Sequence, residues 1–393
     1  MTNLDPVSVR ALGMKRSAIR TVFDAAEGRS EVIRLEIGEP SFPTPPHIVE
    51  AALRAARDGF TRYTANGGLP SLRKLLAEKV ERIDGYSASP DQVVATPGGM
   101  NALFSIYLAL LNEGDEVLLP SPGFPNMDET VKLLGGVPVF YPLTLEGGYL
   151  PIPAELDRLV TDRTRILFIN TPGNPTGTVF PGALVKELVE FARRRGLWVI
   201  ADEVYDQLVL DDDREHVSAA RFDRDNRVIS VYSFSKVYAM TGWRLGYCVA
   251  PKPLAETLRK LQEPQVSCPS AISQKAAEAA LTGPQDAREA MRHAYQERRD
   301  RAWEVMRDVD LNGFRTQGTF YMLIDVAPAG VSSMDFTLRL LAESAVSVAP
   351  GEVFGPMGQG LVRISLANEP ALTAEGIRRI AAAVHSAGSR RTA

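Results

Sequence analysis

The chain of 393 residues contains little cysteine and little histidine, and both shortages argue against particular classes of protein. Its two cysteines, Cys248 and Cys268, allow at most one disulfide, whereas small secreted domains depend on several. The four histidines are scattered without the spacing of metal ligands, at His47, His216, His293 and His385. We therefore expect a reduced, cytoplasmic protein without a metal centre.

Neither sign of charge dominates, and no hydrophobic run is long. The 44 basic and 48 acidic residues leave a formal charge of −4, which gives no electrostatic footprint for nucleic acid. The longest apolar run, around Leu103 to Leu111, is too short to span a bilayer. The first twenty residues are polar and lack the apolar core of a secretory signal. We expect a soluble protein that binds neither nucleic acid nor membrane.

Short apolar runs alternate with helix-length segments between Val93 and Pro251. The runs are "VVAT", "EVLLP", "VPVFYP", "RILFIN", "LWVIADE", "VISVYS" and "LGYCVA". Amphipathic stretches such as "PGALVKELVEFARRRG" separate several of them. Nearly continuous apolar strands of this length, with helices between them, predict an α/β fold: a mainly parallel sheet flanked by helices.

The pattern changes after this region. A long helical segment, about 271–309, precedes strands at "GTFYMLIDV", "VSVAP" and "LVRISLA" and a closing helix near 373–386. This order predicts a smaller α+β domain, with which the strand-like "VIRLEIGEP" should pack. Because 393 residues exceed what one core usually supports, we predict two domains and an N-terminal arm that belongs partly to the smaller one. Residues 1–45 form an N-terminal arm and part of the small domain, 46–285 the large domain, and 286–393 the small C-terminal domain.

Unusual residues follow several of the predicted strands. Ligands of an open α/β sheet bind beyond the carboxyl ends of its strands, so these residues should lie together. "PGGMNAL" places two glycines at a helix start, where unsatisfied N–H groups favour an anion. "TPGNPTG" fixes Asn174 in a rigid loop. Asp202 ends an apolar run, so its carboxylate lies near the interior and needs a partner such as a protonated ring nitrogen.

The stretch "VYSFSKVYAMTGWRLGY" contains the most informative residue, Lys236. Lysine is rarely buried unless it is paired, yet the neighbours of Lys236 are those of an interior. A lysine in a desolvated site loses its proton more readily and forms a Schiff base with an aldehyde.

The residues around this lysine supply the other groups of one cofactor site. The donors available to a phosphate are Ser233, Ser235, Arg244 and the backbone amides of Gly99 and Met100. Asn174 and Tyr205 are available to a ring hydroxyl, and Asp202 to a ring nitrogen. Pyridoxal 5′-phosphate carries an aldehyde, a phosphate, a ring nitrogen and a ring hydroxyl, so the set predicts this cofactor.

These stretches resemble the fold-type I pyridoxal-phosphate enzymes, and specifically the class I aminotransferases related to aspartate aminotransferase. "SFSKVYAMTGWRLGY", "NTPGNPTG" and "ADEVY" occur in the order and approximate spacing of that family, and the resemblance extends over nearly the whole chain. It implies transfer of an α-amino group between an L-amino acid and a 2-oxo acid, through a Schiff base on Lys236. It also implies a homodimer whose active sites are shared between the subunits.

The resemblance further implies individual roles. Lys236 forms the Schiff base and moves the proton, Asp202 pairs with the pyridine nitrogen, and Tyr205 binds the ring hydroxyl with Asn174. The other cofactor contacts fall on Phe124 against the ring, on Gly99, Met100, Ser233, Ser235 and Arg244 around the phosphate, and on Tyr63, which reaches the phosphate of the partner subunit. The substrate site falls on Gly38, Asn174 and Arg363, with the guanidinium of Arg363 binding the α-carboxylate.

The substrate side chain and the type of reaction stay open at this point. Relatives that favour dicarboxylates can carry a lysine where this chain has Met100, which argues against strict aspartate specificity. Lys15, Arg16 or Arg20 is nevertheless available to fold over the site, unless the three form a solvated arm. A pyridoxal-phosphate-dependent β-lyase or decarboxylase would share Lys236 and is the alternative function. A regulator built on the same fold would need a DNA-binding module that this chain lacks.

Overall fold

The computed structural model describes residues 7–14 and 18–389. The α-helices are α1 (Val9–Leu12), α2 (Ala18–Ala26), α3 (Pro46–Arg57), α4 (Pro70–Lys79), α5 (Gly99–Leu110), α6 (Pro125–Leu133), α7 (Pro153–Leu159), α8 (Gly182–Arg195), α9 (Phe234–Val237), α10 (Lys252–Val266), α11 (Ala271–Thr282), α12 (Asp286–Asp308), α13 (Ser333–Ser344) and α14 (Pro370–Ser389). Short helical turns lie at Val80–Asp84, Pro90–Gln92, Ala219–Phe222, Ala327–Ala329, Gly351–Phe354 and Pro356–Gly358.

The strands are β1 (Ile33–Arg34), β2 (Val93–Thr96), β3 (Glu116–Ser121), β4 (Val137–Pro142), β5 (Thr164–Asn170), β6 (Trp198–Asp202), β7 (Val228–Ser233), β8 (Gly246–Val249), β9 (Tyr321–Asp325), β10 (Val346–Ser347), β11 (Ala349–Pro350) and β12 (Leu361–Ser365). Each apolar run that the sequence presents as a strand contains one, and "VSVAP" contains two.

The central sheet has seven strands in the order β2–β8–β7–β6–β5–β3–β4. Neighbouring strands from β7 to β4 pair in parallel, whereas β8 is antiparallel to both β2 and β7. Helices cover both faces, so every residue of β2, β3 and β8 is buried. The predicted mainly parallel sheet is confirmed. The exception arises because the link between β7 and β8 makes a compact reversal through the short α9 instead of a crossover.

A second group of strands packs with the C-terminal helices. Strands β11, β12 and β9 form an antiparallel sheet, and β1 pairs in parallel with β10. One hydrophobic cluster joins Leu35, just after β1, to Phe320, Ile364 and Ile377. The N-terminal strand therefore packs with this second group of strands and helices. The long helical region consists of two helices, α11 and α12. The boundaries at residues 45 and 285 remain a prediction.

Two further features are the apolar character of the helices and the state of the two cysteines. In residues 7–14 and 18–389, no helix combines the length and apolar character that crossing a membrane requires. Cys248 is buried in β8, Cys268 is partly buried, and both are free thiols.

The carboxyl ends of the central strands meet at one edge of the sheet. In the parallel register, Asn170 at the end of β5 lies opposite Asp202 at the end of β6. Asp202 in turn lies opposite Val231 of β7, two residues before Ser233. The α5 helix begins three residues after β2 ends, at the same edge. The fold thus brings together side chains that are far apart in the sequence.

Candidate active site

A cavity of about 470 Å³ opens at this edge of the sheet. Every residue that sequence analysis placed in the site lines it, with the exception of Tyr63. The lining includes Gly38, Gly99, Met100, Phe124, Asn174, Asp202, Tyr205, Ser233, Ser235, Lys236, Arg244 and Arg363. Arg363 comes from β12, so the smaller sheet closes a cavity whose floor is the central sheet.

One corner of the cavity contains several hydrogen-bond donors of the kinds that bind anions. Helix α5 begins at Gly99, after Gly98 with a φ of +81°, a conformation that glycine adopts readily. A Cβ atom at Gly98 would lie 2.6 Å from Arg244 Nη2, so the guanidinium sits directly against the turn. Ser233 Oγ accepts a hydrogen bond from the Ser235 N–H at 3.1 Å. Helix N–H groups, a guanidinium and hydroxyls are the donors that bind phosphate groups in proteins.

Asp202 presents a buried carboxyl group of which one oxygen, Oδ1, has no partner among the described residues. The residue is 4% exposed. Burial raises the pKa of Asp202 to about 7, although the Val204 N–H works in the opposite direction. Asn170 fixes the strand end, because its Nδ2 donates to Asp202 O at 2.9 Å and its Oδ1 accepts from Asn174 N at 2.7 Å. The site therefore offers a fixed carboxylate that lacks a protonated partner.

This raised pKa predicts how the cofactor-free protein responds to pH. The unfolded chain ionises Asp202 near its ordinary value of about 3.9, and the folded chain near 7. Between these values the folded state holds a proton that the unfolded state releases. The contribution of Asp202 to stability therefore falls as pH rises through this window, by up to about 4 kcal/mol in all. Above the folded pKa it stays constant.

The measurement compares urea unfolding of the cofactor-free protein with that of Asp202→Asn at several pH values. Asparagine mimics the protonated carboxyl at every pH, so the variant should gain stability relative to the natural chain from about pH 5 to pH 7. All other titrating groups cancel in the difference. A difference that does not change with pH would contradict the raised pKa.

Lys236 reaches into the cavity from α9, immediately after β7. Its Nζ donates to Gly38 O at 2.5 Å and lies 5.7 Å from the centre of the Phe320 ring. The amine therefore spans the gap between the central sheet and the segment that follows β1. It faces the cavity and not bulk solvent.

Arg363 lies on the other side of the cavity and is 4% exposed. Its Nη1 donates to Asn174 Oδ1 at 3.1 Å and its Nη2 donates to Glu36 O at 2.8 Å, while Nε has no partner among the described residues. The guanidinium stacks 4.2 Å from the centre of the Tyr321 ring. Its hydrogen bonds go to neutral oxygens, so the charge is available to a carboxylate entering the cavity.

Sequence analysis missed several lining residues, and one of them is Tyr321. Its hydroxyl accepts a hydrogen bond from Tyr205 at 3.4 Å, and a Cβ atom on Gly38 would lie 2.8 Å from it. Burial raises the pKa of Tyr205 well above its ordinary value, so its hydroxyl stays protonated and able to donate. Nothing in "GTFYMLIDV" distinguishes Tyr321 from an ordinary core tyrosine. The other missed lining residues are Ile19, Glu36, Glu39, Leu103, Asn170, Val204 and Thr241.

Four other residues named from the sequence lie outside the cavity lining or outside the described chain. Tyr63 is 88% exposed and does not line the cavity. Arg20 forms an ion pair with Asp24 at 2.9 Å and is largely exposed. Lys15 and Arg16 fall outside the described residues. Among residues 18–26, Ile19 lines the cavity and no lysine or arginine does.

Known proteins are similar to this chain along nearly its whole length. The family model "Aminotransferase class I and II" matches residues 30–384. The aspartate aminotransferase of Pyrococcus abyssi is 40% identical over 354 residues, which cover 89% of this chain and 91% of that protein. The aromatic-amino-acid aminotransferase 2 of Thermococcus litoralis is 38% identical over 354 residues, with the same coverage of both chains.

A solved structure shows the same fold. The aspartate aminotransferase from Thermus thermophilus with maleate superimposes with a TM-score of 0.92 at 36% sequence identity. The superposition covers 97% of this chain and 100% of that one. The chain belongs to the class I and II aminotransferases.

Proposed function

We propose that the protein is a pyridoxal-phosphate-dependent aminotransferase that moves an α-amino group between an L-amino acid and a 2-oxo acid by a ping-pong cycle. One observation carries the proposal: a single cavity holds the amine of Lys236, the buried Asp202 carboxyl group whose Oδ1 has no partner among the described residues, the anion corner at Gly99 and the buried guanidinium of Arg363. Membership of the aminotransferase family supports transamination over the alternative β-lyase or decarboxylase reaction.

The residues present fit pyridoxal phosphate at each of its functional groups. Asp202 Oδ1 needs a donor, which a protonated ring nitrogen provides. The phosphate would be held by the start of α5, Arg244 and the two serines, and the aldehyde carbon by Lys236. Phe124 contributes an apolar ring to the same lining. When bound, the cofactor supplies an electron-withdrawing ring that makes the Cα–H bond of the substrate easier to break.

Four residues of the chain would then have separate roles in the reaction. Arg363 binds the substrate α-carboxylate and so orients the Cα–H bond. Lys236, which would hold the cofactor through its aldehyde, would also serve with Nζ as the base that takes the proton from Cα and as the acid that returns it. Asp202 would hold a proton on the ring nitrogen, and Tyr205 would bind the ring hydroxyl. Water is needed only to release the 2-oxo acid.

The rest of the lining favours substrates with an uncharged side chain. Apolar groups are contributed by Ile19, Met100, Leu103 and Phe124. Once Lys236, Arg244 and Asp202 have been assigned to the cofactor and Arg363 to the α-carboxylate, the charged lining groups left are Glu36 and Glu39. Within the described residues, a distal carboxylate therefore finds no cation in this cavity. We expect neutral or aromatic amino acids to react faster than aspartate.

The proposal extends to assembly and location. A tyrosine as exposed as Tyr63 is available to a second subunit, which supports a homodimer with shared active sites. Two free cysteines are typical of a reducing compartment, which supports a cytoplasmic location.

The substrate role of Arg363 is tested by Arg363→Lys. Lysine keeps the positive charge but cannot form a bidentate pair of hydrogen bonds with a carboxylate. Losing one hydrogen bond to a charged group costs about 1.5–3 kcal/mol, so KM for both the amino acid and the 2-oxo acid should rise roughly tenfold to hundredfold. Cofactor content, read from absorbance, should stay at the level of the natural protein.

The matched control is Arg195→Lys. Arg195 is an exposed residue at the C-terminal end of α8, where it forms an ion pair with Asp157 of α7. The variant should leave KM unchanged. Unaltered KM values in Arg363→Lys would remove this residue from the substrate site.

A further inference from the structure

A buried group of charged residues lies behind the turn that follows β6. Asp202, the last residue of β6, lines the cavity together with Val204 and Tyr205 of the turn. The side chains of Glu203 and Asp206 leave the turn in the other direction and are also buried. They meet side chains from α4, the turn after it and the segment before residues 219–222. We call this set the back cluster, and it consists of Lys79, Asp84, Glu203, Asp206 and His216.

Lys79 is the cation at the centre of the back cluster. It ends helix α4 and is 4% exposed. Its Nζ donates to Asp84 Oδ2 at 2.7 Å and to Asp206 Oδ2, and it lies 4.2 Å from the centre of the Tyr232 ring. Burial opposes the charged form, but the carboxylates outweigh burial, so the pKa of Lys79 lies well above its ordinary value. The residue is therefore a charged ammonium with two buried carboxylate partners.

The contacts of Lys79 adjoin residues of the cavity. Asp206 follows Tyr205 in the chain, and Tyr232 precedes Ser233. The turn itself is tightly bonded, since Asp206 N–H donates to Glu203 O at 3.1 Å and Leu208 N–H donates to Tyr205 O at 2.8 Å. A movement of Asp206 would therefore move Tyr205 as well.

Glu203 provides the second anchor of the same turn. Ser218 Oγ and Ala219 N–H both donate to its Oε1 at 3.0 Å, and His216 Nε2 lies 3.5 Å from its Oε2. On the cavity side, the bond from Tyr205 to Tyr321 is long, at 3.4 Å, and so fixes the tyrosine weakly. Glu203 and Asp206 thus anchor the turn from behind, while Asn170 holds the strand end at Asp202 from the cavity side.

We propose that Lys79 is a positioning residue of the active site, which holds residues 202–206 through Asp206 so that Asp202 and Tyr205 meet the cofactor ring. The inference rests on the proposed function, because it presumes that these two residues bind the ring. Contacts to a reacting group tolerate little displacement, and a shift of about 1 Å costs on the order of a hundredfold in rate. Lys79 itself touches neither cofactor nor substrate.

The test must separate positioning from simple charge balance. Lys79→Met leaves Asp84 and Asp206 buried side by side without a cation, which destabilises the protein for a reason unrelated to the site. The triple variant Lys79→Met/Asp84→Asn/Asp206→Asn removes both negative charges together with the ammonium. The control is Lys74→Met, which changes an exposed lysine on the same helix.

Three properties are measured for each protein. They are the melting temperature of the cofactor-free form, the dissociation constant of pyridoxal phosphate, and the pH at which the absorption spectrum of the bound cofactor changes. The last property reports on the groups beside the ring, and a purely structural role would not move it.

If Lys79 positions the turn, the triple variant recovers the melting temperature lost in Lys79→Met. It nevertheless keeps a cofactor dissociation constant at least tenfold above that of the natural chain and a shifted spectral transition. Lys74→Met behaves like the natural chain in all three. A triple variant whose cofactor affinity and spectrum match those of the natural chain would overturn the proposal, because Lys79 would then only balance the charges of Asp84 and Asp206.

Should Lys79→Met fail to fold, the triple variant decides alone. Failure of the natural chain to bind pyridoxal phosphate would refute the proposed function itself.

Discussion

Lys236→Ala is expected to lower turnover by more than about 10⁴-fold. A positioned acid–base group alone contributes about 10²–10⁴-fold, and under the proposed function Lys236 also forms the covalent attachment of the cofactor. The substitution leaves the start of α5, Arg244 and Asp202 in place. The variant should therefore still bind pyridoxal phosphate, but without a covalent link. Turnover is measured by formation of the 2-oxo acid.

The covalent link has its own measurement. Borohydride reduction of the natural holoenzyme, followed by peptide mass spectrometry, should place the mass of the cofactor on the peptide that contains Lys236. The same treatment of Lys236→Ala should place it on no peptide. Lys260→Ala, an exposed lysine on α10, is the matched control and should retain both activity and labelling. Normal turnover in Lys236→Ala would refute the assignment of the site.

Asp202→Asn is expected to have the second-largest effect, a fall in turnover on the order of 10²–10⁴-fold. The amide has nearly the shape of the carboxyl, so folding should be preserved. It has no negative charge, however, and so cannot hold a proton on the ring nitrogen. The site around it cannot compensate, because Oδ1 has no other partner among the described residues. Rates of single half-reactions, followed by absorbance, provide the most direct measurement.

The control for this substitution is Asp157→Asn, in an exposed ion pair with Arg195. It should change turnover by less than twofold, since exposed pairs contribute little. The Asp202→Asn protein should also bind the cofactor in the same orientation, with the same labelling of Lys236 by borohydride. Equal turnover in Asp202→Asn and the natural chain would mean that the ring nitrogen needs no carboxylate in this protein.

The sequence alone was sufficient to predict many of the residues that line the cavity. These residues stand directly after buried strands, and the carboxyl ends of parallel strands meet at one edge. Asp202 after "LWVIA" and Lys236 after "VISVYS" are examples, and the structure places both in the cavity lining. Strand positions were predictable for the same reason, because a doubly covered sheet requires nearly continuous apolar runs.

Other features depend on contacts between distant segments and were not predictable. The direction of β8 is set by the compact reversal around α9, which an apolar run does not reveal. Tyr321 enters the cavity only because β9 pairs with β12 beside Arg363. Lys79 sits on an amphipathic helix, where a lysine normally faces solvent. Its partner Asp206 is 127 residues away, so its burial follows from the tertiary fold alone.

The most direct test of transamination is a single-turnover experiment on the purified holoenzyme. Each common amino acid is mixed with the enzyme in the absence of a 2-oxo acid, and mass spectrometry identifies the cofactor and the product. We expect pyridoxamine phosphate together with the 2-oxo acid that matches the donor, formed fastest with neutral or aromatic amino acids. Cofactor that stays in the aldehyde form, with release of ammonia, carbon dioxide or a cleaved side chain, would contradict transamination.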